Sequence, residues 1–162
     1  MTKQPFTTKE KLEEIAAQFP TPFHLYDEAG IRRNAQALKD AFAWNKGFKE
    51  YFAVKATPNP FLIQILREYG CGCDCSSKTE LMLSKAIGAV GEDVMFSSND
   101  TPAEEFQYAA DMGAIINLDD ITHIEVLEKT LGRLPERICC RYNPGGEIKG
   151  TTDILANHGE AN

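Results

Sequence analysis

The chain has 162 residues, with 17 Lys and Arg against 24 Asp and Glu for a formal net charge of -7, and 43% of its residues are hydrophobic. This composition is that of a globular domain with a core of its own. The acidic balance, without a run of Lys or Arg, argues against a nucleic-acid or anionic-membrane partner, because both require positive charge on the protein. No apolar stretch approaches the length of a membrane span, and the polar N-terminal residues lack a signal-peptide pattern, so we expect a cytoplasmic protein.

The five cysteines lie in apolar, strand-like runs, which favours reduced and mostly buried thiols. Cys71, Cys73 and Cys75 alternate along one predicted strand. No Cys-x-x-Cys pair or paired histidine accompanies them, and metal sites usually show such a spacing. We therefore predict no metal site.

The first helix signal is a capping box formed by Thr7 and Glu10, and Pro20 and Pro22 end that helix. A first strand candidate, Phe23–Tyr26, precedes a segment with the apolar stripe of a helix. Five further strand candidates start 20 to 23 residues apart, at Tyr51–Val54, Cys71–Cys75, Asp93–Phe96, Ala114–Asn117 and Arg137–Tyr142.

Helix signals lie between these strands. Ser77 with Glu80, and Thr101 with Glu104, predict two more capping boxes, and Pro102 is suited to the first position of its helix. Two glycines end helices ahead of the next strand, Gly70 and Gly113. Such regular alternation predicts an α/β fold of parallel strands with right-handed crossovers.

Two parallel architectures fit this pattern, the doubly wound sheet and the closed barrel, and the even length of the strand-helix units favours the barrel. A doubly wound sheet would predict a glycine-rich first turn, which Asp27–Gly30 does not provide. Equal units favour a TIM-barrel-like domain, and the six units counted are about two short of a closed barrel. We therefore expect an N-terminal helix and lead-in over residues 1–20 and an incomplete (β/α) barrel over 21–162, as the N-terminal part of a longer protein.

Reactive groups in parallel α/β folds gather at the carboxyl ends of the strands. Lys55 ends an apolar strand, where partial desolvation would favour the neutral, nucleophilic amine that Schiff-base chemistry requires. The alternative is an ordinary lysine whose ammonium reaches solvent from a strand end. The other candidates at such positions are Asp74, Ser77, Asn99, Asp119, Arg141 and Asn143.

Three of these candidates have specific alternatives. Asp74 could orient Lys55 or another cation, or be an ordinary loop carboxylate. Ser77 is well explained as a helix N-cap. Arg141 ends an apolar strand, where a guanidinium calls for an anionic ligand or a carboxylate partner.

Four segments together resemble a known family. Tyr51–Ala56 and Cys73–Leu81 resemble the second and third strand motifs of the fold-type III pyridoxal-phosphate decarboxylases, Pro22–Asp27 resembles their opening strand, and Arg141–Pro144 their sixth-strand motif. The resemblance covers residues 21–144 in the family's order. It implies a barrel of the alanine racemase/decarboxylase type that binds pyridoxal 5'-phosphate.

The resemblance also implies roles and a reaction. Lys55 would bind the cofactor aldehyde, while Asp74, Ser77 and Arg141 would bind the cofactor at the barrel mouth. The Arg-x-Asn-Pro element resembles diaminopimelate decarboxylase, so the implied reaction is decarboxylation of meso-diaminopimelate to lysine, in lysine biosynthesis. The segment that begins at Asp74 also resembles ornithine decarboxylases. The alternatives are therefore an ornithine/arginine-type or carboxynorspermidine decarboxylase, or a non-catalytic, decarboxylase-like regulator.

The chain departs from the family mainly by its length. The family's ring-stacking histidine, glycine-rich phosphate segment, acidic partner of the pyridine nitrogen and C-terminal β-domain are not found in these 162 residues. We therefore expect the isolated chain to be weakly active or inactive, and the whole protein to be a homodimer that acts on a small-molecule amino acid. A smaller departure is Asp100-Thr101, where a lysine is frequent in such enzymes.

Overall fold

The computed structural model describes residues 5–142, and they belong to two compact units that meet in the chain between Phe48 and Lys49. The expected boundary at residue 20 stays a prediction. No helix in the described range is long and apolar enough to cross a membrane.

The first unit contains two helices, α1 (Lys9–Gln18) and α2 (Glu28–Ala41). The N-cap of α1 is Thr8, whose side chain accepts a hydrogen bond from the Lys11 amide at 3.3 Å. The predicted capping box at Thr7 was therefore wrong by one residue. At α2 the side chain of Asp27 accepts a hydrogen bond from the Gly30 amide at 2.9 Å.

The expected strand at Phe23–Tyr26 is absent, since these described residues adopt neither strand nor helix. Three of the four side chains, those of His24, Leu25 and Tyr26, are exposed. A short apolar run does not specify a strand unless a neighbouring strand pairs with it, and none pairs here.

The second unit alternates strands and helices as predicted. Its described strands are β1 (Tyr51–Ala53), β2 (Gly72–Cys75), β3 (Val94–Phe96), β4 (Ile115–Leu118) and β5 (Ile138–Cys140). Its described helices are α3 (Pro60–Glu68), α4 (Lys78–Ala86), α5 (Ala103–Asp111) and α6 (His123–Leu131). Five of the six predicted strands are confirmed, with bounds that shift by one or two residues.

The five strands form one parallel sheet in the order β1-β2-β3-β4-β5. From β2 onward each strand therefore pairs with the strand before it in the sequence, and right-handed crossovers then place the helices of this unit on the same face. A doubly wound sheet would instead reverse its strand order and have helices on both faces. The order confirms a part of a (β/α) barrel.

Alternate side chains of the strands face the helices and form the core. The residues of β2, β3 and β4 on this helix-covered face are almost completely buried. They pack against at least one side chain from each of the helices α3, α4, α5 and α6. On the opposite face, which we call the inner face, Asp74, Met95 and Asn117 are only half-buried. The inner face is therefore where polar side chains of the strands can meet a ligand.

The turns between elements correct one predicted cap. Thr101 does not cap α5, because that helix begins after Pro102 and the hydroxyl of Thr101 is buried without a hydrogen-bond partner. Pro102 fixes its own φ, and it occupies the N-cap position rather than the first helical one. Gly70 and Gly113 follow α3 and α5 with φ of 93° and 72°, which confirms their predicted role as helix stops.

An ion-pair network ties the amino ends of the strands together. Asp93 accepts from Lys49 Nζ at 2.5 Å and from Arg67 Nη2 at 3.2 Å. The Lys49 hydrogen bond is the main reason that the pKa of Asp93 is lowered, with Arg67 adding to the effect. Close by, the Tyr51 hydroxyl donates to the carbonyl oxygen of Glu92 at 2.7 Å.

Candidate functional site

The predicted lysine lies at the carboxyl end of β1. Val54, which follows that strand, is completely buried in the core, and Lys55 is the middle residue of a single 3-10 turn, Val54–Ala56. The side chain of Lys55 is exposed, so the expected partial desolvation was wrong: a tight turn lifts the residue away from the core. Within the described residues Lys55 forms no ion pair, and its amine is open to a reagent from solvent.

Asp74 lies on the inner face of β2 and bonds to a residue that was not among the candidates. Its Oδ1 accepts a hydrogen bond from the hydroxyl of Ser97, the first residue after β3. The interpretation that Asp74 pairs with Lys55 is not what the structure shows. Ser97 could have been found from the sequence, because it directly follows a predicted strand at the carboxyl edge.

Arg141 follows β5 and has the carboxylate partner that its position called for. Its Nη1 lies 2.8 Å from Oδ1 of Asp119, which follows β4. The two atoms form an ion pair without the angle of a hydrogen bond, and Asp119 Oδ1 is buried with no hydrogen bond at all. About half of the Arg141 side chain, 46%, stays exposed, so the guanidinium has donors left for an anion.

Ser77 is the N-cap of α4, as its capping-box alternative predicted. Its hydroxyl accepts from the Glu80 amide at 3.4 Å and lies 3.1 Å from Glu80 Oε1, while the other oxygen of Glu80 accepts from the Ser76 amide at 3.0 Å. A cofactor contact by Ser77 stays a prediction. Asn99 is exposed after β3, and Asn143 lies outside the described residues.

The structure therefore brings together five polar side chains at one edge of the sheet. Each comes from the end of a different strand, in the order Lys55, Asp74, Ser97, Asp119 and Arg141. Two cations belong to the first and last described strands, and two carboxylates lie between them. An exposed amine at the same edge of the sheet as groups that bind anions and hydroxyls is suited to holding a small aldehyde with an acidic substituent.

A cavity of about 350 Å³ lies at the opposite end of the sheet and contains none of these five residues. Its polar lining includes Glu92, Asp111, Arg133 and Arg137, and Arg137 already pairs with Glu92 at 2.6 Å. Ligands of parallel barrels bind at the carboxyl ends of the strands. The candidate site is therefore the edge with the five polar side chains and not this cavity.

The cysteines divide by burial. Cys73 and Cys75 are completely buried, and burial is the main cause that raises the pKa of Cys75 to about 12. Cys71 and Cys139 are half-buried, and Cys140 is exposed, so the expectation of mostly buried thiols was wrong for Cys140, which ends a strand at the rim. Over residues 5–142 no group of three or more His, Cys, Asp or Glu side chains could hold a metal ion.

Comparisons with known proteins identify the family. The sequence model of the family described as "Pyridoxal-dependent decarboxylase, pyridoxal binding domain" matches residues 28–161. The chain is 42% identical to "Protein TabA" of Pseudomonas amygdali pv. tabaci over 143 residues, which are 88% of this chain and 33% of that protein. It is 32% identical to diaminopimelate decarboxylase of Thermoplasma acidophilum over 87% of this chain and 34% of the relative.

Solved structures agree with the fold. The crystal structure of diaminopimelate decarboxylase from Helicobacter pylori, complexed with L-lysine, superposes with a TM-score of 0.76 at 28% identity and covers 85% of this chain and 36% of that one. The chain thus spans about one third of the length of the relatives it matches. By the match of its sequence to the family over most of its length, this chain belongs to the pyridoxal-dependent decarboxylases, as part of their pyridoxal-binding domain.

Proposed function

We propose that this chain supplies the cofactor-binding lysine of a pyridoxal-phosphate-dependent amino-acid decarboxylase, and that the lysine is Lys55. The observation that carries the proposal is the exposed Lys55 amine, free of ion pairs among the described residues, at the carboxyl edge of the sheet. Binding an aldehyde requires a primary amine that solvent can reach. The residues present fit pyridoxal phosphate in this respect.

Other side chains at the carboxyl edge of the sheet fit the remaining groups of the cofactor. The exposed donors of Arg141 are suited to an anionic or phenolic oxygen, and Asp74 offers a carboxylate oxygen on the inner face. Ser77 would contribute at the start of α4, where the helix dipole favours a negative group. When bound, the cofactor supplies an electron sink for the bond that breaks as carbon dioxide leaves an amino acid.

The side chains of this chain would then bind and orient. Lys55 would hold the cofactor between turnovers and release it when a substrate amine displaces the lysine. Asp74 and Arg141, fixed by partners that follow β3 and β4, would keep the ring in one orientation, and such positioning is the protein's main contribution to a reaction of this kind.

The test is covalent trapping on Lys55. The chain is mixed with pyridoxal phosphate, reduced with borohydride and mapped by peptide mass spectrometry, and we expect a pyridoxyl adduct on the peptide that contains Lys55. Lys55→Met should lose that adduct. Lys129→Met is the matched control, because Lys129 is an exposed lysine in the last turn of α6, at the other end of the sheet. An unmodified Lys55 in the wild-type chain would contradict the proposal.

For the substrate we propose meso-diaminopimelate, with lysine as the product. Support comes from diaminopimelate decarboxylases among the relatives at 32% identity. The 42% identity to Protein TabA is higher, so a different amino acid of the same class remains the alternative. The whole protein should release carbon dioxide from diaminopimelate faster than from ornithine, arginine, lysine or carboxynorspermidine, and a preference for one of the others would contradict this substrate.

We also propose that the whole protein is a homodimer. Sedimentation of the whole protein should show twice the mass of one chain, and a monomer that decarboxylates at full rate would contradict this assembly.

A further inference from the structure

Asp74 has two possible partners at equal offsets on the strands that flank it. In the parallel register Asp74 pairs with Ala53 of β1 and with Met95 of β3. Lys55 follows Ala53 by two residues, and Ser97 follows Met95 by two. Ser97 continues the strand ladder, so its Cα lies about 8 Å from the Cα of Asp74, whereas Lys55 lies in the 3-10 turn that follows β1. Lys55 and Ser97 thus follow the ends of the two strands on either side of Asp74.

The structure shows that Asp74 takes the hydroxyl. Ser97 Oγ donates a hydrogen bond to Asp74 Oδ1. Ser97 is itself fixed, because its amide donates to the carbonyl oxygen of Cys75 at 2.8 Å and so continues the ladder between β2 and β3. A fixed donor on the β3 side holds the carboxylate toward β3.

The second carboxylate of the inner face is also engaged away from Lys55. Oδ1 of Asp119 lies 2.8 Å from Nη1 of Arg141, which follows β5 at the opposite edge of the described sheet from β1. In the described part of the chain both acids of the site therefore have partners, and Lys55 has no acidic partner.

We propose that Ser97 is a positioning residue whose hydroxyl holds Asp74 on the β3 side and so prevents the carboxylate from forming an ion pair with Lys55. The inference rests on the proposed function, in which the neutral amine of Lys55 attacks an aldehyde. An ammonium paired with a carboxylate keeps its proton more strongly than an unpaired one, so a smaller fraction of the amine is ready to react.

The expected size of the effect follows from the exposure of the lysine. An ion pair made by an exposed lysine is weak. Releasing Asp74 from Ser97 should therefore lower the reactivity of Lys55 near neutral pH by about two- to five-fold and should not abolish it.

The experiment measures the labelling rate of Lys55 in the chain without cofactor. Trace acetic anhydride acetylates amines in competition, and mass spectrometry reports the relative rate for each lysine. Ser97→Ala should lower the rate at Lys55 by about two- to five-fold. Ser97→Thr, which keeps a hydroxyl, should label like the wild type, and Lys129 should label at one rate in every variant.

The double variant separates this role from a merely structural one. Ser97→Ala combined with Asp74→Asn should return Lys55 to the wild-type rate, because no carboxylate is left to pair with it. Distortion of the strand ends by the loss of Ser97 would instead persist in the double variant. If Ser97→Ala does not fold, Ser97→Cys takes its place, since a thiol is a weak donor of similar size, and the same fall is expected.

The inference is overturned if Lys55 is acetylated at the wild-type rate in a folded Ser97→Ala or Ser97→Cys chain. It is also overturned if Lys55 is acetylated as slowly in the double variant as in Ser97→Ala. Borohydride trapping on the same samples keeps the two proposals apart. A wild-type chain without a pyridoxyl adduct contradicts the proposed function. A wild-type chain with the adduct but with unchanged labelling in Ser97→Ala overturns the positioning role alone.

Discussion

Gly72 of β2 is a position where a single added methyl group should destabilise the sheet that carries Lys55. A Cβ added at Gly72 would lie 2.6 Å and 2.7 Å from two ring carbons of Tyr51 and 2.8 Å from the carbonyl oxygen of Asp93. The ring cannot move without cost, because its hydroxyl donates to the carbonyl oxygen of Glu92 at 2.7 Å. The backbone oxygen of Asp93 belongs to the turn that leads into β3.

We expect Gly72→Ala to lower the free energy of unfolding by about 1 to 3 kcal/mol, which is typical of overpacking. For a chain of this size the melting temperature should fall by about 2 to 12 °C. Urea unfolding followed by circular dichroism measures the first quantity and a thermal melt the second.

The matched control is Gly47→Ala. The nearest atom to a Cβ at Gly47 is Asn45 Oδ1 at 3.6 Å, an ordinary contact. This variant should unfold within about 0.5 kcal/mol of the wild type. Equal stability of the two alanine variants would refute the reasoning from close contacts at Gly72.

Three further predictions concern the core, acid stability and thiol reactivity. Phe106 is 1% exposed, so Phe106→Ala should lower the free energy of unfolding by about 3 to 5 kcal/mol in urea titrations, whereas Phe61→Ala, at a side chain that is 73% exposed, should change it little; equal losses would contradict the burial argument. The pKa of Asp93 is lowered by its two basic partners, so its stabilising effect is complete above the unfolded pKa of about 4 and is lost as the pH falls through the lower folded value. The stability difference between wild type and Asp93→Asn should therefore be constant near neutral pH and shrink in acid, and a difference independent of pH would count against it. With a pKa of about 12 and complete burial, Cys75 should stay unlabelled by iodoacetamide in the native chain at pH 8, while exposed Cys140 should react; mass spectrometry of the peptides decides, and early labelling of Cys75 would mean that β2 opens.

The sequence predicts the repeated part of the fold well, because each strand is a compact apolar run bounded by helix signals. Lys55, Asp74 and Arg141 could be placed at one edge of the sheet from the parallel order alone, since carboxyl ends of parallel strands share an edge. Ser77 was predicted as a cap by its spacing to Glu80, and the structure confirms the hydrogen bonds.

The parts that sequence reasoning missed depend on partners that local patterns do not show. Phe23–Tyr26 has the composition of a strand, but only pairing makes a strand. Thr101 has the spacing of a capping box, yet the helix begins after Pro102. Lys55 looked desolvated because its neighbours are apolar, whereas a 3-10 turn exposes it. Which residue Asp74 would bond was undecided, since the register offers two choices at equal offset.

The sequential strand order also has a consequence for how the chain is made. From β2 onward, every described strand of the sheet pairs with the strand that left the ribosome just before it, and no described strand has to wait for a distant one to be synthesised. Contacts of this kind have short loops to close, which lowers the entropy cost of each addition. Lys55 follows the first of these strands to be made and Arg141 the last, so the edge of the sheet that carries both is complete only after β5 has been synthesised.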